Sequence, residues 1–591
     1  MKTKEDYQYY RQYFTQLFGD ILDDQWEQVL AASEILQIHA KQYLFHEGDK
    51  ENSIYIVLSG RLRTLQQSDS TYKILGDVSA GEPVGEFAIF TNEPRTATVV
   101  AIRKSTVLKI DEAHYHELVK ANPNFAHKIT QFVINRLRRN AMQKRMNSAP
   151  KNIAIVKLQA SFDISPWTDQ VKVELSKMHI QTQVFDSSQI TDEHYNSLFD
   201  EIENNSGLNF LVCDDDHISW ANQCVTYCDL ILIVSDFNAA TTITSIEENL
   251  NLYESNILNK KIYLVLLHLE NAPMPSNTLR WFKNRNFDLH LHVRKNNSRD
   301  IRRFSRIIIN KAVGLVLGGG GAKGFAHVGA VKAMLEAGFE FDFVGGTSAG
   351  ALYGAGITFV DFDIDKVTAL CKRGSDAKVT SNDLTFPFIS LMTGKKMRNY
   401  LQELYGESHL EDFWVNTYCV STNYSNATMK VHETGLTRLQ IEASVAIPGV
   451  FPPVILDKHL HVDGGVMDNL PIETMYQKPV SYVVAIALSA QTPHLVNVEK
   501  IPSALELFIN KFTKKHRYRL PRMSSLLINS LTLNSVQKQA ITKSQVSLYL
   551  ELNLGNFGFL DWSKWRELIE KGYQETKTYL ENMESKDRFY K

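Results

Sequence analysis

Ser348 sits in Gly346-Thr347-Ser348-Ala349-Gly350, with Gly345 just before it, so small residues crowd around one hydroxyl. This is the G-x-S-x-G pattern, in which a sharp strand-to-helix turn holds a nucleophilic oxygen clear of its neighbours. The apolar run Phe339–Val344 supplies the strand that such an elbow needs. The chemistry would be attack on an acyl carbon, and its oxyanion needs donors, each worth roughly 2.7–4 kcal/mol in the transition state. Gly318-Gly319-Gly320-Gly321 ends an earlier strand and leads into a helix, so several backbone N–H groups can point at one anion. The separation, about 30 residues, is that of one βαβ unit. A base must also take the serine proton. Asp463, followed by Gly464-Gly465, is the candidate. His459 and His461 lie at even spacing on the same strand and share its face, so a Ser–His–Asp triad stays open beside a Ser–Asp pair.

The glycine loop fits a rival template. Gly319-x-Gly321-x-x-Gly324 reads as a dinucleotide fingerprint, with Glu340 or Asp342 near the ribose position. That reading explains the glycines and leaves the serine elbow unexplained. Lys323 precedes a glycine instead of following one, so the loop is not a Walker A motif. A second constellation lies in Gly81–Ala101, where Glu86 and Arg95 share one short segment. A guanidinium fork suits a cyclic phosphate, and a carboxylate suits a ribose hydroxyl. Asp214-Asp215-Asp216 and the Cys224/Cys228 pair lack companion ligands and read as a solvated turn and a helix face.

These groups need several domains to hold them, because 591 residues exceed one core. Residues 1–148 carry short strands broken by glycine turns and then a helical tail, the pattern of a β-barrel or jelly roll. Residues 149–306 alternate continuous apolar strands with helix-length polar stretches, which predicts a parallel sheet covered on both faces. Residues 307–591 open a second α/β pattern around the glycine loop and the serine. The net charge of −2 gives no field that would draw the chain to nucleic acid. Five scattered cysteines predict free thiols in a reducing compartment. The first residues lack the apolar core of a signal peptide, and no run approaches the ~20 apolar residues of a membrane span. The expected location is therefore cytoplasmic, with any membrane contact peripheral. The basic, aromatic-rich run 511–522 is the candidate for that contact.

GGGxKG, GTSAG and DGG, in this order, resemble the patatin-like phospholipases, as do ASVAIPGVFPPV and MDNLP. The resemblance implies a Ser–Asp dyad without a catalytic histidine, with Ser348 as nucleophile and Asp463 as base. It assigns the oxyanion hole to the amides of Gly319, Gly320 and Gly321, and it implies no metal and no cofactor for catalysis. The segment 81–101 resembles the phosphate-binding cassette of cyclic nucleotide-binding domains, supported by FHEGD and YIVLSGRL upstream. That likeness places Gly85, Glu86 and Ala88 at sugar and phosphate, Arg95 at the phosphate and Thr96 near the base, with cAMP or cGMP as regulatory ligand. SWANQCVTYCDLILIVSD resembles the middle part of neuropathy target esterase-like proteins. The whole then implies a multidomain lipid esterase acting on phospholipids, chiefly lysophospholipids. A patatin-fold scaffold without catalysis is the contrasting expectation.

Overall fold

Between Glu34 and Asp111 the short strand runs close into two antiparallel four-stranded sheets. One is ordered 34–38, 105–111, 53–59, 83–84, and the other 43–45, 98–101, 61–68, 71–79. Strand alternation divides the apolar residues between two cores. Ile54, Ile56 and Leu58 pack with Tyr115, Phe125 and Ile129 of the following helices, and Tyr55 and Val57 pack inside the barrel with Leu62, Val84 and Val99. The jelly roll expected for this region is therefore present. This computed structural model describes most of residues 33–583. Residues 1–32, 69–70, 142–148, 190–194, 255–259, 380–382, 489–499, 510–519, 521–532 and 584–591, with a few single positions, lie outside the description. The basic run at 511–522 falls almost wholly among them.

The middle region forms the parallel sheet that its apolar runs predict. Six strands lie in the order 182–185, 208–213, 152–157, 230–236, 261–268, 289–294, and all paired neighbours run parallel. Barrel and sheet belong to one compact unit, residues 1–273, 278–312 and 476–481. A buried ionic cluster ties them. Arg103 of the barrel meets Asp229 at 3.3 Å and also pairs with Glu203, and Arg61 reaches Asp229 at 3.5 Å. These cations hold the wholly buried Asp229 carboxyl down at about 2, despite burial, which acts in the opposite direction. In sequence these arginines look like exposed strand positions, and nothing signals the cluster. The five cysteines are free and buried. Asp214 is engaged by Ser187 and His217.

The second unit, residues 274–277, 313–475 and 482–591, is built on an eight-stranded sheet. Its strands are β1 Ala312–Leu317, β2 Phe343–Thr347, β3 Asn416–Asn423, β4 Thr428–His432, β5 Val454–Leu456, β6 His459–Asp463, β7 Val480–Ala487 and β8 Leu548–Glu551. The order is β5-β6-β3-β2-β1-β7-β8, with β4 paired to β3. The helices used below are α1 Phe325–Glu336, α2 Ala349–Phe359, α3 Ile364–Asp376, α4 Lys395–Tyr405, α5 Thr437–Ser444, α6 Leu533–Thr542 and α7 Trp565–Glu581. β1, β2 and β3 are parallel and buried throughout or nearly so, because helices cover both faces. α1 and α7 pack closely, and a Cβ on Gly329 would lie 1.8 Å from the Ile569 carbonyl oxygen. Among the described residues, no helix is long and apolar enough to cross a membrane.

Candidate active site

β1 and β2 end side by side, with Leu317 paired to Gly346, so the glycine loop and Ser348 emerge from the same sheet edge. Ser348 has φ 55° and ψ −121°, a strained backbone for a residue with a side chain. The surroundings hold it there. Its N–H donates to Ser444 Oγ at 3.0 Å, and that hydroxyl donates onward to the Val420 carbonyl at 2.7 Å. Gly350 is required by close approach, since a Cβ there would sit 2.0 Å from the Leu317 carbonyl oxygen. The expected strand, sharp turn and helix are all present.

β6 runs antiparallel to β3 and ends with Asp463 opposite Ser421, next to Val420, which pairs with Thr347. That register brings the carboxylate to the elbow. Ser348 Oγ donates to Asp463 Oδ2 at 2.6 Å, and Gly465 N–H donates to Asp463 Oδ1 at 2.7 Å. Burial pushes the Asp463 carboxyl up to about 6, against the lowering effect of those two donors. A carboxyl raised toward neutral pH is of the kind suited to exchanging a proton with the hydroxyl that donates to it.

The histidines lie elsewhere. His461 Nδ1 is 2.8 Å from Ser421 Oγ, and His432 Nε2 shares that hydroxyl at 2.7 Å. His459 Nδ1 lies 3.4 Å from Asn423 Nδ2. Two residues of strand carry His461 roughly 7 Å from Asp463. Neither strand histidine has a hydrogen bond to Ser348 or Asp463 among the described residues, so the geometry has a pair where the spacing also allowed a triad.

The glycine loop stands beside the serine, and a Cβ on Gly319 would lie 3.0 Å from Ser348 Cβ. Its three expected donors are not equivalent. Gly319 N–H donates to the Asn469 carbonyl at 3.2 Å, while Asn469 Nδ2 faces the Gly319 carbonyl at 3.4 Å. Gly320 and Gly321 N–H make no backbone hydrogen bond among the described residues. Gly321 takes φ +60°, and a side chain there would strike the Phe559 carbonyl oxygen at 2.5 Å. His327, buried and pushed down to about 4 by that burial, donates from Nε2 to the Gly318 carbonyl at 2.8 Å and fixes the start of the loop. Asp342, one of the two candidates for the ribose position of the dinucleotide template, is buried and accepts from Val313 N–H at 2.8 Å. That carboxylate is a strand-to-strand tie.

Motif reading quoted Asp468 and Asn469 within MDNLP without giving them a role, and it did not find Ser535 or Lys538. Asp468 accepts Thr347 Oγ1–H through its carbonyl at 2.9 Å, and its carboxylate pairs with Lys538 at 2.5 Å. Lys538 also meets Glu473 at 2.8 Å. Ser535 Oγ accepts from Asn469 N–H at 2.7 Å and donates to the Gly465 carbonyl at 2.9 Å. α6 therefore grips the segment that follows Asp463 and carries the glycine-loop partner Asn469.

In the barrel, Gly85 has φ +84° and precedes the short helix Glu86–Thr91, where Glu86 and Ala88 are buried. Arg95 is buried, donates from Nη1 to the Gly85 carbonyl at 2.8 Å, and stacks 4.2 Å from the Phe45 ring centroid. Its ionic neighbour is Glu51, at 3.6 Å. Thr96 is exposed.

Comparison with known proteins finds three family matches along the chain. Residues 315–476 match the patatin-like phospholipase family, 151–315 the neuropathy target esterase family P-loop like domain, and 35–122 the cyclic nucleotide-binding domain. The chain is 26% identical to Lysophospholipase NTE1 of Coccidioides immitis (strain RS), over 94% of this chain and 41% of that protein. It is also 26% identical to Lysophospholipase NTE1 of Meyerozyma guilliermondii, over 94% of this chain and 48% of that protein. The chain thus spans less than half the length of these curated relatives. Among solved structures, a cyclic nucleotide-binding domain from Methylobacillus flagellatus KT aligns at 17% identity, covering 24% of this chain and 82% of that one, with a TM-score of 0.22.

Proposed function

We propose that this chain, which carries a patatin-like phospholipase domain behind a neuropathy target esterase family P-loop like domain and a cyclic nucleotide-binding domain, is a serine esterase of phospholipids and lysophospholipids. The observation that carries the reading is the 2.6 Å hydrogen bond from Ser348 Oγ to Asp463 Oδ2, at a strained elbow beside unspent backbone donors. Asp463 takes the proton as Ser348 Oγ attacks the acyl carbon. The N–H groups of Gly320 and Gly321 receive the oxyanion, while Gly319, tied to Asn469, keeps the loop in shape. Asp463 then returns the proton to the leaving alcohol, and water releases the fatty acid from the acyl-enzyme by the same path reversed. The named activity of the relatives supports the choice of lipid ester. Ser348→Ala should remove release of fatty acid from lysophosphatidylcholine while the protein stays folded. Retained turnover in that variant refutes the assignment, and a parent without turnover supports the contrasting scaffold.

The barrel is read as a regulatory site for cAMP or cGMP, held at Gly85, Glu86, Ala88 and Arg95 with Thr96 at the rim. The buried Arg95 supports this reading, since a phosphate is the partner its fork suits best. Titration calorimetry with each nucleotide, alone and with Arg95→Ala, tests it. Absence of heat with both nucleotides removes the regulatory reading and leaves the esterase untouched.

A further inference from the structure

The turn between α3 and α4 exposes an unusual amount of apolar side chain. Phe386 is 76% and Phe388 87% exposed, and Leu384, Ile389 and Leu391 are exposed with them. The turn is not a loose strand of backbone. Thr393 N–H donates to the Asp383 carbonyl at 2.8 Å, Thr385 N–H to the Leu391 carbonyl at 3.0 Å, and Phe388 N–H to the Phe386 carbonyl at 2.8 Å across Pro387. Ser390 Oγ donates to the Met392 carbonyl at 2.7 Å. A hydrogen-bonded base therefore presents the tip, with the two rings 5.1 Å apart. A folded chain in water gains nothing by holding these rings outside a core, so the tip is built for another phase.

We propose that the 384–391 turn is a membrane-docking element that inserts into the outer layer of an anionic bilayer. Three observations select a bilayer over a protein partner. First, the tip projects from a closed turn instead of lining a groove. Second, Lys395 and Lys396 follow at once on the first turn of α4, which holds no acidic residue, while Arg398 beyond them is tied to Glu442 at 3.2 Å. Apolar tips backed by cations match the two layers of a leaflet, acyl chains beneath anionic head groups. Third, the base is joined to the site. Leu391 N–H donates to the Gly449 carbonyl at 2.9 Å and Met392 N–H to the Val450 carbonyl at 3.0 Å. That segment runs from α5, which holds the Ser348 amide, toward β6, which holds Asp463, and Asp463 N–H donates to the Ala446 carbonyl at 2.9 Å. Docking at the tip would thus bring the dyad to the surface that supplies its substrate. The inference rests on the lipid-esterase reading for its purpose, and the contact itself can be measured separately.

The test uses the full chain and vesicles of phosphatidylcholine alone or with about one third phosphatidylserine. Parent protein should float with the mixed vesicles, and the double variant Phe386→Ser, Phe388→Ser should partition at least tenfold less. Its hydrolysis of a short, water-soluble ester should match the parent. Lys395→Glu with Lys396→Glu should erase the preference for phosphatidylserine. As a second readout, Phe388→Cys carrying an environment-sensitive dye should brighten and shift to the blue on adding mixed vesicles; the native cysteines are buried and leave that label selective. Parent that stays unbound to mixed vesicles, a serine variant that floats as well as parent, or a dye that responds to protein concentration instead of lipid overturns the proposal. The last result would identify a second copy of the chain as the partner. Loss of ester hydrolysis with vesicle binding intact would count against the esterase reading alone.

Discussion

Replacing Asp463 by Asn should stabilise the second unit at high pH while removing the proposed esterase activity. Burial lifts this carboxyl from 3.8 to about 6. An acid with a raised folded-state pKa holds its proton more tightly when folded, so the folded state is favoured most at low pH. That stability is complete below 3.8 and is lost as pH climbs through 6. Above that window the cost levels off. At 1.36 kcal/mol per unit, the difference between 3.8 and 6 corresponds to about 3 kcal/mol. Asn keeps the shape: its Oδ1 can accept the Gly465 N–H and its Nδ2 can donate to Ser348 Oγ. At pH 8 the variant should gain up to about 3 kcal/mol, or roughly 2–4 °C in Tm per kcal/mol for a domain of this size. At pH 4 the two proteins should nearly coincide. The assay is thermal unfolding of parent and variant at both pH values, read at the second unit's own transition. No gain at pH 8, or an equal gain at pH 4, would refute the reasoning.

Three further outcomes follow from the same geometry. kcat/KM on a soluble ester should fall about tenfold per unit below pH 6, because the protonated Asp463 cannot accept from Ser348; a profile flat down to pH 4 contradicts this. Lys538→Met leaves the buried Asp468 carboxylate without its cation, and because Lys538 is partly exposed the cost should be about 1–2 kcal/mol. Its mark should be a lower kcat with little change in KM, since Asp468 holds Thr347 beside the nucleophile. Arg103→Met should destabilise the barrel-containing unit by about 3–5 kcal/mol at pH 7, read by denaturant unfolding. Asp229 is depressed from 3.8 to about 2, so the stability this pair supplies is present above 3.8 and disappears as pH falls through 2, and the gap between variant and parent should close over that range.

The elbow was legible because its chemistry is local: Ser348 needs small neighbours within two residues, and they are adjacent in sequence. The glycine loop and Asp463 were legible for the same reason, each marked by glycines at the point of close approach. The parallel sheet and the barrel followed from strand length and turn spacing. Reading the glycines did not show which amides were spent, because Gly319 is engaged by a backbone carbonyl 150 positions away, at Asn469. Ser535 and Lys538 carry no motif, and Ser444 sits in a quoted segment that gave it no role; ordinary helix residues acquire their roles only from what they face. The exposed turn was hidden for the opposite reason. TFPFISLM has the composition of core, and only the fold reveals that Phe386 and Phe388 never enter one. The placement of Ser421 between two histidines likewise depends on the register of β3 and β6, which spacing along β6 alone does not give.

A fluorophosphonate probe tests the central claim most directly, because it reacts only with a serine whose proton has somewhere to go. Peptide mapping after labelling should place the adduct on Ser348, with none in Ser348→Ala and a rate lowered at least a thousandfold in Asp463→Asn, about 4 kcal/mol of transition-state stabilisation. An adduct on a different serine, or undiminished labelling of Ser348 without the Asp463 carboxylate, would contradict the account.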